Sequence, residues 1–198
     1  MKRRAYRDET YWGRAVPGFG DPRAALVVVG LAPGAHGANR TGRVFTGDAS
    51  GDFLYRALHR AGLASRPTSE RRDDGLVLHD CFITAACRCV PPGNRPSREE
   101  LASCAGFLDR ELRALRPRVV LALGRVAWEA VLGAFGRAGV WLPRPLPGFE
   151  HGAGLELPGA PTLLASYHVS RQNTQTGRLT SSMFERVVAR AVALAAGR

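Results

Sequence analysis

The sequence predicts an α/β fold, with three αβα layers around a central four-stranded parallel sheet. Three observations lead there. Short apolar, β-branched runs recur along the chain, two of them ending in glycine. Stretches of helical periodicity separate them. Strands that alternate with helices in this way build a parallel sheet covered on both faces.

Each element follows in order. Residues 1–21 are charged and carry Pro17, Gly18 and Gly20, so they read as an irregular lead-in. Ala25 to Gly30 is an apolar run of the kind found in buried parallel strands. A Gly-rich loop covers 31–48. Ser50 then opens a helix through Ala61, with Phe53, Leu54, Ala57, Leu58 and Ala61 on one face and Gly62 as the stop. Cys81 to Ala85 is the second strand. Pro91, Pro92, Gly93, Asn94 and Pro96 mark a loop. Ser97 and Glu100 have capping-box spacing, so a helix runs to about Leu115, where Pro117 ends it. Val119 to Gly124 is the third strand, followed by a short helix through about Phe135. A Pro-rich loop spans 141–148, and Thr162 to Ser166 is the fourth strand. A polar loop covers 167–179. The last helix starts near Ser181 and buries Phe184, Val187, Val188, Ala191 and Val192.

Bulk properties bound the function. A chain of 198 residues suits one domain, taken here as 1–198. It has no apolar run of the roughly 18 residues that a membrane-spanning helix needs. The opening MKRRAYRDET lacks the apolar core of a secretion signal, so a cytoplasmic protein is expected. The net charge is +11, from 28 basic and 17 acidic residues, and Lys2 is the single lysine. Arginine forks two hydrogen bonds onto a phosphate, and a strongly basic domain suits a polyanion. Arg- and Ala-rich composition from a GC-rich genome is the plainer explanation of the same charge.

Ligands of open parallel sheets sit beyond the C-terminal strand ends. Two polar loops leave such ends, 31–48 and 167–179, and the site is expected between them. The first reads GLAPGAHGANRTGRVFTGD from Gly30 to Asp48. Its glycines let backbone approach a ligand, although it is neither a Walker A loop nor a GxGxxG fingerprint. The second reads SYHVSRQNTQTGR from Ser166 to Arg178, a dense set of donors with His168 close to the strand end. A lone His is more often structural, and Asp48 ahead of Ser50 and Gly51 also suits a helix cap.

These two loops, with ITAACRCVPP and with ALGR at Ala122 to Arg125, resemble the uracil-DNA glycosylase superfamily, most closely its family 5, over nearly the whole chain. The resemblance implies a monofunctional glycosylase that removes uracil, and also hypoxanthine and xanthine, from double-stranded DNA. It implies a monomer acting in base excision repair. Gly30, Leu31, Ala32 and Pro33 would form the base-binding motif. Ala32 stands where related families carry a polar catalytic residue, and Asp48 is similar to the acid that replaces it. Phe45 matches the aromatic that stacks on the flipped base, and His168 the histidine that stabilises the departing base. Ala85 stands where other families place an Asn that reads the uracil edge. Ser170, Arg171, Gln172, Asn173 and Gln175 match the loop that enters the duplex and contacts phosphate.

The resemblance also implies a [4Fe–4S] cluster on four cysteines, for which Cys89 and Cys104 are retained as metal ligands. The usual N-terminal Cys-x-x-Cys pair is absent from this chain. Three explanations stand: a truncated start, a lost cluster, or substitution by Cys81 and Cys87. Cys81 lies in a strand and is poorly placed, which favours the first two. The mechanism needs no cluster. Neither loop holds a lysine for a Schiff base, so strand cutting is not expected. Two other functions fit the same loops: hydrolysis of a free nucleoside or nucleotide, and damaged-DNA binding without catalysis.

Overall fold

The computed structural model describes residues 4–197. Its centre is a six-stranded sheet of order β1-β3-β2-β4-β6-β5. The strands are β1 (Phe19–Gly20), β2 (Leu26–Gly30), β3 (Cys81–Ala85), β4 (Val119–Leu123), β5 (Gly154–Leu155) and β6 (Thr162–Ser166). The four inner strands are parallel, as expected. Two short antiparallel edges, β1 on β3 and β5 on β6, extend the predicted four strands to six. A two-residue strand shows no period of its own, so only pairing with a neighbour creates it. The lead-in is therefore not wholly irregular: it also holds a 3-10 turn at Arg4–Tyr6. Its first three residues lie outside the described ones.

Helices cover both faces. They are α1 (Ala38–Thr41), α2 (Ala49–Arg60), α3 (Arg98–Leu115), α4 (Arg125–Arg137), α5 (Arg171–Gln175) and α6 (Ser181–Ala195). Alternation along β2 divides the core. Leu26 and Val28 pack with Leu54 and Leu58 of α2 and Phe184 and Val188 of α6. Val27 and Val29 face the other way, toward Leu108 of α3 and Trp128 and Val131 of α4. Every residue of β2 and β4 is buried, which is why both read as unbroken apolar runs.

Local signals set the helix ends. The Ser97–Glu100 capping box forms in both directions and starts α3. The third predicted strand stops one residue early, because Gly124 adopts φ 92° and becomes the N-cap of α4. α4 runs two residues past Phe135. Ala61 caps α2 instead of ending it, and Val192 is half-buried where full burial was expected. Both polar loops contain a short helix, α1 and α5, whose polar residues carry no apolar stripe to announce them.

β2 lies between β3 and β4, and its following helix α2 covers one face while α4, after β4, covers the other. The connections thus part beside β2, which opens a crevice at the C-terminal ends of β2 and β4. The loops after β2 and β6 both reach it.

Candidate active site

Asp48 ends the first loop as the N-cap of α2. Its Oδ1 accepts from the backbone N–H groups of Ser50 and Gly51, both at 3.0 Å. Oδ2 accepts no hydrogen bond from another described residue. It faces Gly34 and Gly37, where a Cβ would lie 2.9 Å and 2.0 Å away. Capping and chemistry therefore do not compete, because they use different oxygens of one carboxylate.

Phe45 holds φ 51°, a left-handed conformation that a non-glycine residue rarely adopts. Two contacts maintain it. The Tyr55 hydroxyl donates to Val44 O at 3.0 Å, and Gly51 brings α2 so close that a Cβ there would lie 1.8 Å from Phe45 O. The phenyl ring lies over Gly30, within 2.6 Å of where a Cβ would sit. Glycine at the end of β2 thus leaves room for the ring.

His168 approaches from the far side of the crevice. Its Cβ would be 3.2 Å from a Cβ on Gly124, its carbonyl accepts from Asn173 Nδ2 at 2.8 Å, and its ring is tilted against Phe45 with centroids 6.3 Å apart. Burial holds the imidazole down to about 4. The ring is therefore neutral near pH 7. Neither ring nitrogen bonds another described residue.

These groups line one cavity of about 60 Å³, walled by Ala32, Pro33, Phe45, Asp48, Ala85 and His168 among others. It opens into a groove of about 850 Å³ that shares Ala32, Pro33, Asp48, Ser50 and His168 with it. A narrow pocket for one planar group beneath a long groove suits an extended ligand that inserts a single unit.

Comparison with known proteins agrees with this geometry. A family model described as the uracil DNA glycosylase superfamily matches residues 17–191. A type-5 uracil-DNA glycosylase of Thermus thermophilus is 57% identical over 195 residues, or 98% of this chain and 86% of the relative. One from Pyrobaculum aerophilum is 47% identical over 190 residues, 96% of this chain and 80% of the relative. A type-4 uracil-DNA glycosylase of the same archaeon is 38% identical over 128 residues, 64% of this chain and 58% of the relative. This chain belongs to the uracil-DNA glycosylase superfamily, in its type-5 branch.

Within that glycosylase fold the predicted residues divide between pocket and groove. Ala32, Pro33, Phe45, Asp48, Ala85 and His168 meet in the pocket, while Leu31 lies in the groove and Gly30 beneath Phe45. Ser170, Arg171, Gln172 and Asn173 line the groove, but Gln175 does not. Ser170 caps α5 by accepting from Asn173 N at 3.4 Å, which leaves Arg171 and Gln172 exposed at the groove edge. The sequence reading missed Tyr6 and the 3-10 turn Pro92–Asn94, which closes the groove with Pro91 and Arg95. The Pro/Gly cluster marked a loop there, but nothing local said that it faces the site.

The thiols do not assemble the four ligands of an iron–sulfur cluster. Cys89 is exposed and Cys104, on α3, is half-buried. Cys87 is buried beside Cys104, and burial and that neighbour push its thiol up. Cys81 is fully buried in β3. Among the described residues no three His, Cys, Asp or Glu side chains converge on a metal position.

Proposed function

We propose that this protein hydrolyses the N-glycosidic bond of uracil in DNA, releasing the base and leaving an abasic site. The observation that carries the proposal is the pairing in one pocket of an unbonded carboxylate oxygen, Asp48 Oδ2, with a neutral imidazole, His168. Both lie under a groove edged by Arg95 and Arg171.

The chemistry follows from the residue types. The target nucleotide leaves the stack, at a cost of about a few kcal/mol that is smallest in a mismatch. Phe45 recovers part of this by stacking. As the bond to C1′ lengthens, positive charge grows on the sugar and negative charge on the base. The Asp48 carboxylate stabilises the sugar and orients water, whose oxygen joins C1′. His168 in its N–H form, with backbone N–H groups of the first loop, stabilises the departing base, which then takes up a proton. α2 holds Asp48 in place through Oδ1, so Oδ2 needs no rearrangement to act.

The proposal extends to hypoxanthine and xanthine. A pocket built to hydrogen-bond one base edge strongly rejects analogues that leave its polar groups unpaired. At the end of β3, Ala85 offers a methyl group and no such reading group.

The test is base release from end-labelled duplexes carrying U:G, U:A or hypoxanthine:T, with alkali added to reveal abasic sites. Cleavage by the native chain should depend on alkali. It should fall by about 10²–10⁴-fold in Asp48→Asn and His168→Ala. Tight binding without release on any substrate would instead mark a damage-binding protein. Release from free nucleosides alone would mark a small-molecule hydrolase.

A further inference from the structure

The peptide just past β6 is held from a direction that the chemistry above does not use. Tyr167 is the first residue beyond the strand, so its N–H has no ladder partner there and needs another acceptor. That acceptor is a side chain: His151 Nδ1 takes the Tyr167 N–H at 3.1 Å. The His151 ring also stacks on the Tyr167 ring, with centroids 4.9 Å apart and planes 22° apart. The Arg178 guanidinium lies 4.7 Å from the Tyr167 ring centroid.

His151 is itself fixed by the edge of the sheet. Its chain turns back onto β6, with Gly152 N donating to Ala165 O at 2.8 Å and Ala165 N donating to Ala153 O at 2.9 Å. On the other side of Tyr167, Ser166 O accepts from Gly124 N at 2.8 Å, and His168 O accepts from Asn173 Nδ2 at 2.8 Å. The main chain that carries His168 is therefore pinned at Ser166, Tyr167 and His168. Only the Tyr167 tie runs through a titratable side chain.

We infer that His151 is a positioning residue for His168, acting through the Tyr167 amide in its neutral form. The inference rests on the role proposed for His168. Nδ1 can accept an N–H only while it is unprotonated, with the ring hydrogen on Nε2. The charged groups around it are Arg186 and Arg190 of α6, Glu150 beside it in sequence and Arg178 across Tyr167. Arg190 donates to Gly152 O at 2.8 Å. Burial first, and then Arg186, hold the His151 imidazole below its ordinary range. The tie thus persists through neutral pH and opens on acidification.

Two variants test this. His151→Phe keeps a ring for stacking but removes the acceptor, whereas His151→Gln keeps an acceptor that does not titrate. At pH 7.5, Phe should lower kcat for uracil release about tenfold, as a misplaced catalytic group does, and leave duplex affinity within about twofold. Gln should restore most of kcat and move the acid limb of its pH profile to lower pH. In the native chain the Tyr167 amide ¹⁵N–¹H resonance should shift on acid titration, and in the Gln variant it should stay. Native kcat in a folded Phe variant would overturn the inference. So would equal losses in Phe and Gln that track equal drops in melting temperature, the mark of a purely structural hairpin. If the native chain releases no base, the glycosylase proposal fails separately. The amide titration then still decides the tie, and an unmoved resonance overturns it.

Discussion

A Cβ placed on Gly37 would lie 2.0 Å from Asp48 Oδ2 and 2.7 Å from its Cγ. Gly37 has φ −102° and ψ −106°, outside the regions open to residues with a side chain, so glycine is required there by backbone conformation as well as by space. Gly37→Ala should therefore strain the turn into α1 and displace the carboxylate. A shift of about 1 Å in a catalytic group can lower the rate about 10²-fold. Uracil release by the folded variant should fall by at least about that factor. Native kinetics in this variant would show that Oδ2 works equally well from another position. Gly51 differs, because its missing Cβ admits the backbone of Phe45, and backbone cannot step aside as a side chain can.

The loop between α1 and α2 is braced from behind by one buried arginine. Arg43 is 3% exposed. It donates to Thr46 Oγ1 at 3.0 Å, Ser69 Oγ at 2.8 Å, Asp74 Oδ2 at 2.5 Å and Arg72 O at 3.3 Å. The Phe45 that shapes the pocket lies between Arg43 and Thr46, so this brace ties the chain on both sides of it. Asp74→Asn would leave the guanidinium buried without a counter-charge, a defect that costs about 3–5 kcal/mol. Urea unfolding at pH 7 should show a loss of that size. The pH dependence has a defined sign. Burial raises the Asp74 carboxyl, but Arg43 and the amides of Leu76, Arg71 and Glu70 outweigh it and hold the group well below the usual carboxylate range. Its contribution is complete above the unfolded value of about 3.9 and is lost as pH falls through the folded value. Native and Asp74→Asn stabilities should therefore converge in strong acid. A gap that stays constant down to pH 2 would exclude the carboxylate as its source.

At the scale of the molecule, a +11 charge is a property of binding and not of folding. Duplex affinity should fall steeply between 50 mM and 200 mM salt, because each neutralised phosphate releases counterions. Arg171 is exposed at the groove edge, clear of the pocket lining. Arg171→Gln should weaken binding to U:G and to undamaged duplex alike and reduce the salt slope by about 1, without changing single-turnover base release at saturation. An unchanged slope would move the phosphate contact elsewhere. Among the described residues no helix is long and apolar enough to cross a membrane.

The sequence by itself determined the inner sheet, the four long helices and the two loops that bound the pocket, while the pocket residues were named by the family resemblance. Those signals are local: buried runs of β-branched residues, apolar stripes, the Ser97 capping box, and Asp48 ahead of two free amides. Only the tertiary structure decided what they become together. Asp48 and His168 lie far apart in the chain and meet because β2 and β6 flank β4 in the sheet. The two edge strands and the His151 tie depend on a partner outside their own segment, so their own residues carry no pattern that announces them, and the turn at Pro92–Asn94 is local but nothing in it says that it faces the groove. The same holds for the thiols. The family resemblance pointed to Cys89 and Cys104, whereas packing sets Cys87 beside Cys104 and leaves Cys89 in solvent. Local pattern states what a segment is. Strand order and packing state what it faces, and chemistry depends on the second.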